Sequence, residues 1–94
     1  MLYIESLEID DHVLEKIESK HALTFEEIEQ TCQSETRHVR RRKEGLYKLF
    51  GQTESGRYIL TVLVNMGKGS WKIVTAREMT DNERRLYNNE RGGK

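Results

Sequence analysis

The densest group of potentially reactive side chains is a basic run, Arg37–Lys43, which carries five positive charges in seven residues. Such a run can bind the phosphate backbone of a nucleic acid, with an affinity that falls as the salt concentration rises. No aromatic residue interrupts it, so recognition of base sequence is not expected. The alternative is that it pairs with acidic residues of this chain or of an acidic partner. The candidates for phosphate contact are Arg40, Arg41, Arg42 and Lys43.

Two further arginines and one histidine are suited to phosphate chemistry. The guanidinium groups of Arg57 and Arg77 can bind a phosphate through two parallel hydrogen bonds, and they stay charged. His21 has an ordinary pKa near 6.5, which suits proton transfer, and Lys20 beside it can hold a phosphate. Each has a structural alternative. Arg77 can pair with a carboxylate such as Glu83, Arg57 can be a solvated turn residue, and the Lys-His pair can close a helix.

Tyr87 follows Glu83 by four residues and Arg84 by three, so the three side chains share one face of a helix. A tyrosine in this position can stack on a base or orient a phosphate. It can equally well only pack the helix onto its neighbour, and Glu83 is favoured as a helix cap. Arg85 is expected to face solvent, where it can contact phosphate without specificity.

The pattern of apolar residues predicts the elements that position these side chains. Residues 2–9 alternate and predict an opening strand. A helix is predicted from Asp10 or Asp11 to about residue 20, with one apolar face. Thr24 and Glu27 match a capping box and predict a second helix that ends near residue 34.

The second half of the chain predicts a strand-rich unit. Residues 35–45 have no apolar periodicity and indicate a loop or a ragged strand edge. Three β-rich segments then predict a meander, and Thr80 with Glu83 forms a second capping box for a helix that frays near residues 88–89. The order β-α-α-β-β-β-α is that of a two-layer α+β domain, an antiparallel sheet packed by helices. The three meander strands are predicted at 46–53, 57–66 and 70–77.

Length and composition exclude several classes of protein. A chain of 94 residues is expected to form one domain, 1–94, with a flexible tail over 91–94. No apolar run approaches the roughly 20 residues of a membrane span, and the first residues lack signal-peptide features, so we expect a cytoplasmic protein. The single cysteine, Cys32, cannot form an internal disulfide and is expected to be buried. One cysteine and three histidines fall short of a structural zinc site, and no metal or cofactor is expected.

The net charge is zero, with 16 basic and 16 acidic side chains, but the charges are segregated. Residues 1–36 carry ten acidic and two basic side chains, a net charge of −8, whereas residues 37–94 carry six acidic and fourteen basic ones, a net charge of +8. Such asymmetry indicates a surface for a polyanion, or two halves that neutralise each other.

Five stretches of the chain together match a known pattern of motifs. They are Ile9-Asp10-Asp11, Lys20-His21, Thr24-Phe25-Glu26-Glu27, Gly51 with Gly56–Val62, and, most specifically, Ile73–Thr80 followed by Glu83-Arg84-Arg85-Leu86-Tyr87. In this order the sequence resembles the BrnT-type toxins of bacterial type II toxin–antitoxin systems, which have a RelE-like ribonuclease fold. The resemblance covers most of the chain, from residue 9 to residue 87.

The resemblance implies an endoribonuclease that works without metal, by attack of the ribose 2′-hydroxyl on the adjacent phosphate. It implies catalytic roles for Arg77, Arg57, His21, Lys20 and Tyr87. It also implies RNA contacts, an antitoxin of ribbon-helix-helix type that masks the site, and binding of operator DNA only through the toxin–antitoxin complex. The residues expected to bind RNA are Arg84, Arg85, Arg40, Arg41, Arg42 and Lys43.

A second hypothesis comes from a different functional class. The chain would be a non-catalytic interaction module with a toxin-like fold, binding a protein or a nucleic acid through its basic half. Cleavage of RNA in the presence of EDTA separates the two hypotheses.

Overall fold

Five strands, three α-helices and a short 3-10 helix (Lys43–Gly45) lie within residues 3–92, the part of the chain that this computed structural model describes. The strands form one sheet whose order in space is first, fifth, fourth, third, second. The first strand runs parallel to the fifth, and the other neighbours are antiparallel. The elements are β1 (Ser6–Glu8), α1 (Asp11–His21), α2 (Phe25–Cys32), β2 (His38–Arg41), β3 (Leu46–Gln52), β4 (Tyr58–Gly67), β5 (Ser70–Glu78) and α3 (Asp81–Gly92).

Local sequence signals account for the helix starts. The Thr24 hydroxyl accepts from the Glu27 backbone N–H at 3.1 Å, and the Glu27 carboxylate accepts from the Thr24 N–H at 3.0 Å. Thr80 and Glu83 repeat the arrangement at the start of α3: the Thr80 hydroxyl accepts from the Glu83 N–H at 3.2 Å, and the Glu83 carboxylate accepts from the Thr80 N–H at 2.9 Å. Both predicted capping boxes are therefore confirmed. The two reciprocal bonds satisfy backbone donors that the first turn of a helix leaves without partners.

The predicted fold class is confirmed, and the structure corrects three details of the elements. The segment 35–45, predicted as a loop or a ragged strand edge, contains the edge strand β2, so four strands rather than three follow the second helix. The opening strand is shorter than predicted and parallel to β5, so the sheet is mixed rather than purely antiparallel. The last helix continues to Gly92 rather than fraying near residue 89. The predicted flexible tail, 91–94, ends in two residues that lie outside those described.

Strand alternation divides the buried residues between the two faces of the sheet. On one face α1 and α2 cover the main core, because α1 packs on β5 and α2 on β3 and β4. On the other face α3 covers a smaller core. The main core includes Ile17, Leu23, Ile28, Leu49, Ile59, Leu63, Trp71 and Ile73, and the smaller core consists of Phe50, Leu60, Met79 and Tyr87.

The main core is closely packed where α2 crosses β3. Gly51 lies against Thr31, and a Cβ placed on Gly51 would stand 2.7 Å from the Thr31 carbonyl oxygen. The Thr31 hydroxyl in turn donates to the carbonyl of Ile28 at 2.7 Å, within α2. The absence of a side chain at Gly51 thus sets how closely the helix approaches the sheet.

Candidate nucleic-acid interface

Two rows of side chains cross the sheet on the face that carries α3. The register places His38, Phe50, Leu60 and Arg77 side by side on β2, β3, β4 and β5, and we call this the covered row. Two residues further along each strand lies the open row, formed by Arg40, Lys48, Val62 and Thr75. Neighbouring strands lie about 4.8 Å apart, so each row spans about 14 Å from β2 to β5.

The helix α3 crosses the strands along the covered row. Near its start, Glu83 binds Arg77 on β5. One helical turn later, Tyr87 packs with Leu60 in the smaller core. Near its end, a carboxylate oxygen of Glu90 lies 4.0 Å from Nδ1 of His38, on β2. One half of this face is therefore covered by a helix, and the open row lies beside that helix.

Three cationic side chains border α3 and form what we call the cationic strip: Arg40, Lys48 and Arg77. Arg40 is exposed, and Lys48 is half-buried. Arg40 and Glu83 line the same cavity of about 30 Å³ between β2 and α3. Lys48 is near enough to Glu83 to help lower the pKa of that carboxyl. The register thus places Arg40 beside Lys48, and ion pairing and charge coupling link Arg77 and Lys48 to Glu83.

Arg77 is held by that carboxylate in a two-bond arrangement. Its two terminal nitrogens donate to the two oxygens of Glu83 at 2.8 and 2.9 Å, and one also donates to the Glu78 carbonyl at 3.1 Å. The pair raises the pKa of Arg77, and its hydrogen bonds are the main cause of the lowered pKa of Glu83. Arg77 still has 36% of its side chain exposed, so it lies at the surface of the sheet.

Arg57 lies on the opposite face of the sheet, at the end of α1. Its guanidinium donates to the carboxylates of Glu27 and Glu78, with nearest distances of 3.1 and 2.9 Å. It also donates to the backbone carbonyls of His21 and Ala22, at 3.2 and 2.9 Å. The two arginines predicted to share one phosphate are therefore separated by the sheet.

The remaining predicted catalytic residues divide in the same way. Lys20 and His21 end α1 on the face of Arg57, and Lys20 is exposed. Tyr87 lies with Arg77 on the other face, but only 1% of it is exposed. Its hydroxyl is hydrogen-bonded to that of Thr36 at 2.7 Å. Tyr87 is therefore placed to pack α3 onto the sheet.

The residues predicted to bind RNA are scattered over four places. Arg40 belongs to the cationic strip. Arg41 pairs with Tyr47, whose ring lies in the main core, so Arg41 emerges on the face that α1 and α2 cover. Arg42 and Lys43 are exposed in the turn that follows. Two further predicted residues lie on α3. Arg84 stacks over the ring of Tyr58 at 4.4 Å, and Arg85 bonds to Asn82.

Comparisons with known proteins add one finding about this arrangement. No model of a protein family matches the chain, and no curated protein matches it. Among solved structures, the chain is similar to the crystal structure of a ribonuclease toxin of Brucella abortus, BrnT, with a TM-score of 0.67. The fold is similar to that of BrnT. The likeness covers 81% of this chain and 97% of BrnT at 15% sequence identity, so it is a likeness of fold.

Sequence reasoning missed Lys48 as a member of the site. Lys48 lies in a segment correctly predicted as a strand, between Tyr47 and Leu49, which both pack in the main core. Strict alternation therefore places Lys48 on the face of α3, the face that carries Arg77. The signal was present, but its use needed the register between strands.

Other chemistry within residues 3–92 is limited. No three His, Cys, Asp or Glu side chains lie together as metal ligands would, and no helix has the length and apolar content to cross a membrane. Burial raises the pKa of the Cys32 thiol to about 12, so the thiol stays protonated. In the same residues, Nε2 of His38 is buried without a hydrogen-bond partner.

The two capping carboxylates are expected to make folding sensitive to acid. A hydrogen bond from the Thr24 backbone, joined by Arg57, lowers the pKa of Glu27 below 4.5, and Arg77 does the same for Glu83. Because both pKa values are lowered on folding, the stabilisation is complete above the unfolded pKa and is lost as the pH falls through the folded pKa. Urea denaturation at pH 7, 4.5 and 3 is expected to show a falling free energy of unfolding.

The matched control for this pH dependence is the double variant Glu27→Gln, Glu83→Gln. Glutamine retains the capping geometry but does not titrate, so the double variant is expected to lose less stability between pH 4.5 and pH 3 than the wild type. An equal loss in both proteins would assign the acid sensitivity to other carboxylates.

Proposed function

We propose that the chain is the toxin component of a type II toxin–antitoxin system and an endoribonuclease that works without metal. The proposal is carried by the cationic strip on an open sheet face. It is supported by the likeness of the fold to that of a ribonuclease toxin, which extends over nearly the whole of that protein. A half-open sheet face with three cations beside a helix offers a phosphate backbone both access and charge neutralisation.

The proposed reaction is an internal transfer at one RNA phosphate. The ribose 2′-oxygen loses its proton and forms a bond to phosphorus, while the bond from phosphorus to the 5′-oxygen breaks and that oxygen takes up a proton. The products are a 2′,3′-cyclic phosphate and a free 5′-hydroxyl. In this scheme Arg40, Lys48 and Arg77 neutralise the charge that accumulates on the phosphoryl oxygens in the transition state.

Other predicted catalytic residues take structural roles in this proposal. Arg57 ties the end of α1 to the carboxylates of Glu27 and Glu78, and Lys20 and His21 lie on that same side of the sheet. Tyr87 positions α3. Arg77 alone of the predicted catalytic set remains a phosphate ligand.

The proposed partners follow from the same face. RNA is the substrate, and a cognate antitoxin would mask the open row and suppress cleavage. The ribbon-helix-helix type of that antitoxin, and binding of operator DNA through the complex, are the parts of the proposal that rest on the resemblance of the sequence alone.

The test compares two adjacent arginines that lie on opposite faces of the same strand. RNA cleavage is measured in the presence of EDTA for the wild type, Arg40→Ala and Arg41→Ala. We expect the wild type to cleave RNA. Arg40→Ala is expected to cleave about tenfold more slowly and to bind RNA with a slope of log affinity against log salt concentration that is smaller by about one, whereas Arg41→Ala is expected to change little. The two variants remove the same charge from neighbouring positions, so a loss of net charge affects both alike.

Two outcomes would contradict the proposal. Intact RNA after incubation with folded wild-type protein would remove the enzymatic function. Equal losses in Arg40→Ala and Arg41→Ala would leave the activity standing but move it away from the cationic strip.

A second candidate function is a non-catalytic module that binds a protein partner. It is favoured by two observations: Arg57 and Arg77 both engage carboxylates of the same chain, and Leu86 and Val74 are apolar side chains with 51% and 44% exposure. Folded wild-type protein that leaves RNA intact and still binds an antitoxin-like partner would support this candidate.

A further inference from the structure

The carboxylate of Glu83 occupies the part of Arg77 that a phosphate would use. Two parallel N–H···O bonds of 2.8 and 2.9 Å join the pair. An arginine binds a phosphate through the same fork, with two of its N–H groups directed at two anionic oxygens. A carboxylate and a phosphate therefore compete for one position at Arg77.

Glu83 also lies close to the other two members of the cationic strip. Its carboxylate binds Arg77, and the residue lines a cavity with Arg40. Arg77 is the main cause of its lowered pKa, and the charge of Lys48 contributes. Its side chain is 19% exposed, whereas that of Arg77 is 36% exposed, so an anion in solution can reach the arginine. Glu83 thus reduces the positive potential at the point where an RNA phosphate would arrive.

We propose that Glu83 sets the affinity of the cationic strip for RNA by standing in for a phosphate at Arg77. The inference rests on the proposed function, since it concerns the same strip. A phosphate that enters the site takes over the two N–H groups of Arg77, and the carboxylate keeps its capping bond from the Thr80 N–H. The wild-type affinity for RNA therefore depends on the difference between the free energies with which the phosphate and the Glu83 carboxylate bind the same guanidinium.

Arg57 provides the contrast within the same chain. Two carboxylates and two backbone carbonyls surround its guanidinium on the face that α1 and α2 cover. A phosphate there would have to displace four acceptors, and the carbonyls of His21 and Ala22 would lose their donor. Exchange of one anion for another is feasible at Arg77, whose acceptors are one side-chain carboxylate and one backbone carbonyl, and is opposed at Arg57, which has four acceptors.

The experiment measures binding of a short RNA whose 2′-hydroxyls are methylated, so that it cannot be cleaved. We expect Glu83→Gln to bind this RNA about tenfold more tightly than the wild type. The slope of log affinity against log salt concentration is expected to steepen by about one, which corresponds to about one additional phosphate contact. Glutamine keeps the capping box with Thr80, so α3 stays in place. The gain is expected to vanish in Glu83→Gln, Arg77→Ala, because the released guanidinium is then absent.

The matched control is Glu78→Gln, which removes the same charge from the carboxylate that binds Arg57 on the other face. Its RNA affinity is expected to equal that of the wild type. If Glu83→Gln unfolds, Glu83→Asp serves instead. It retains a capping carboxylate that is one methylene shorter, and a smaller gain in affinity is expected.

Each outcome has a separate meaning. Unchanged or weaker RNA binding by folded Glu83→Gln overturns the role of Glu83, while cleavage by the wild type leaves the proposed function intact. A gain that survives removal of Arg77, or that Glu78→Gln shares, shows an effect of net charge and also overturns it. Absence of RNA binding and cleavage in every protein rejects the proposed function itself.

Discussion

Replacement of Arg57 by alanine is expected to lower the free energy of unfolding by about 2–3 kcal/mol. The guanidinium joins α1, α2 and β5 through two carboxylates and two backbone carbonyls. Its loss leaves the carbonyls at the end of α1 without their donor, and it leaves Glu27 and Glu78 without their cation. The side chain of Arg57 is 27% exposed, so solvent replaces part of these contacts, and the expected loss stays below that of a fully buried pair.

The measurement is urea denaturation at pH 7, with Arg85→Ala as the control. Arg85 is an exposed arginine with a single hydrogen bond to Asn82, and its replacement is expected to change the free energy by less than about 0.5 kcal/mol. Arg57→Ala that retains wild-type stability but loses cleavage would return Arg57 to the RNA site, as the sequence resemblance first implied.

Replacement of Gly51 by alanine is expected to cost about 2–3 kcal/mol in the free energy of unfolding. The added methyl group would lie 2.7 Å from the carbonyl oxygen of Thr31, and neither group is at the end of a flexible side chain. Relief requires α2 to move away from β3, which loosens the contacts of Ile28 and Leu49 in the main core. The better strand propensity of alanine offsets only a part of this cost.

Denaturation of Gly51→Ala is compared with that of Thr75→Ala, a substitution at an exposed position of the same sheet. The control is expected to stay within about 0.5 kcal/mol of the wild type. Equal or greater stability of Gly51→Ala would show that α2 adjusts to the methyl group without cost, and that the close approach is incidental.

Much of the fold was predictable because its signals are local. A capping box needs only two residues three apart, and both were present at the true helix starts, Thr24 and Thr80. The β-rich residues of β4 likewise identify a central strand. The strand β2 lacks such a signal, because it lies at an edge of the sheet and presents only Val39 to the main core. Charged residues suit such an edge and hide the strand from a search for apolar alternation.

The grouping of the candidate site depended on information that the sequence does not display. Whether Arg57 and Arg77 share a face is decided by the register of β4 on β5, in which Leu60 pairs with Arg77. That register includes irregularities between Val62 and Leu63 and between Asn65 and Gly67. Each bulge shifts one strand by a residue relative to its partner, and a shift of one residue moves a side chain to the other face.

The segregation of charge along the sequence becomes in part a separation in space once the chain is folded, while Arg57 and Lys72 of the basic part pair with Glu27 and Asp10 of the acidic part. The helices α1 and α2, which hold much of the acidic part, cover one face of the sheet, while the cationic strip lies on the other. A neutral molecule whose charges are separated in this way has an electric dipole, and the field of a polyanion exerts a torque on a dipole. It turns its open sheet face towards the polyanion before contact and its helical layer away. Orientation of the encounter therefore needs no net charge.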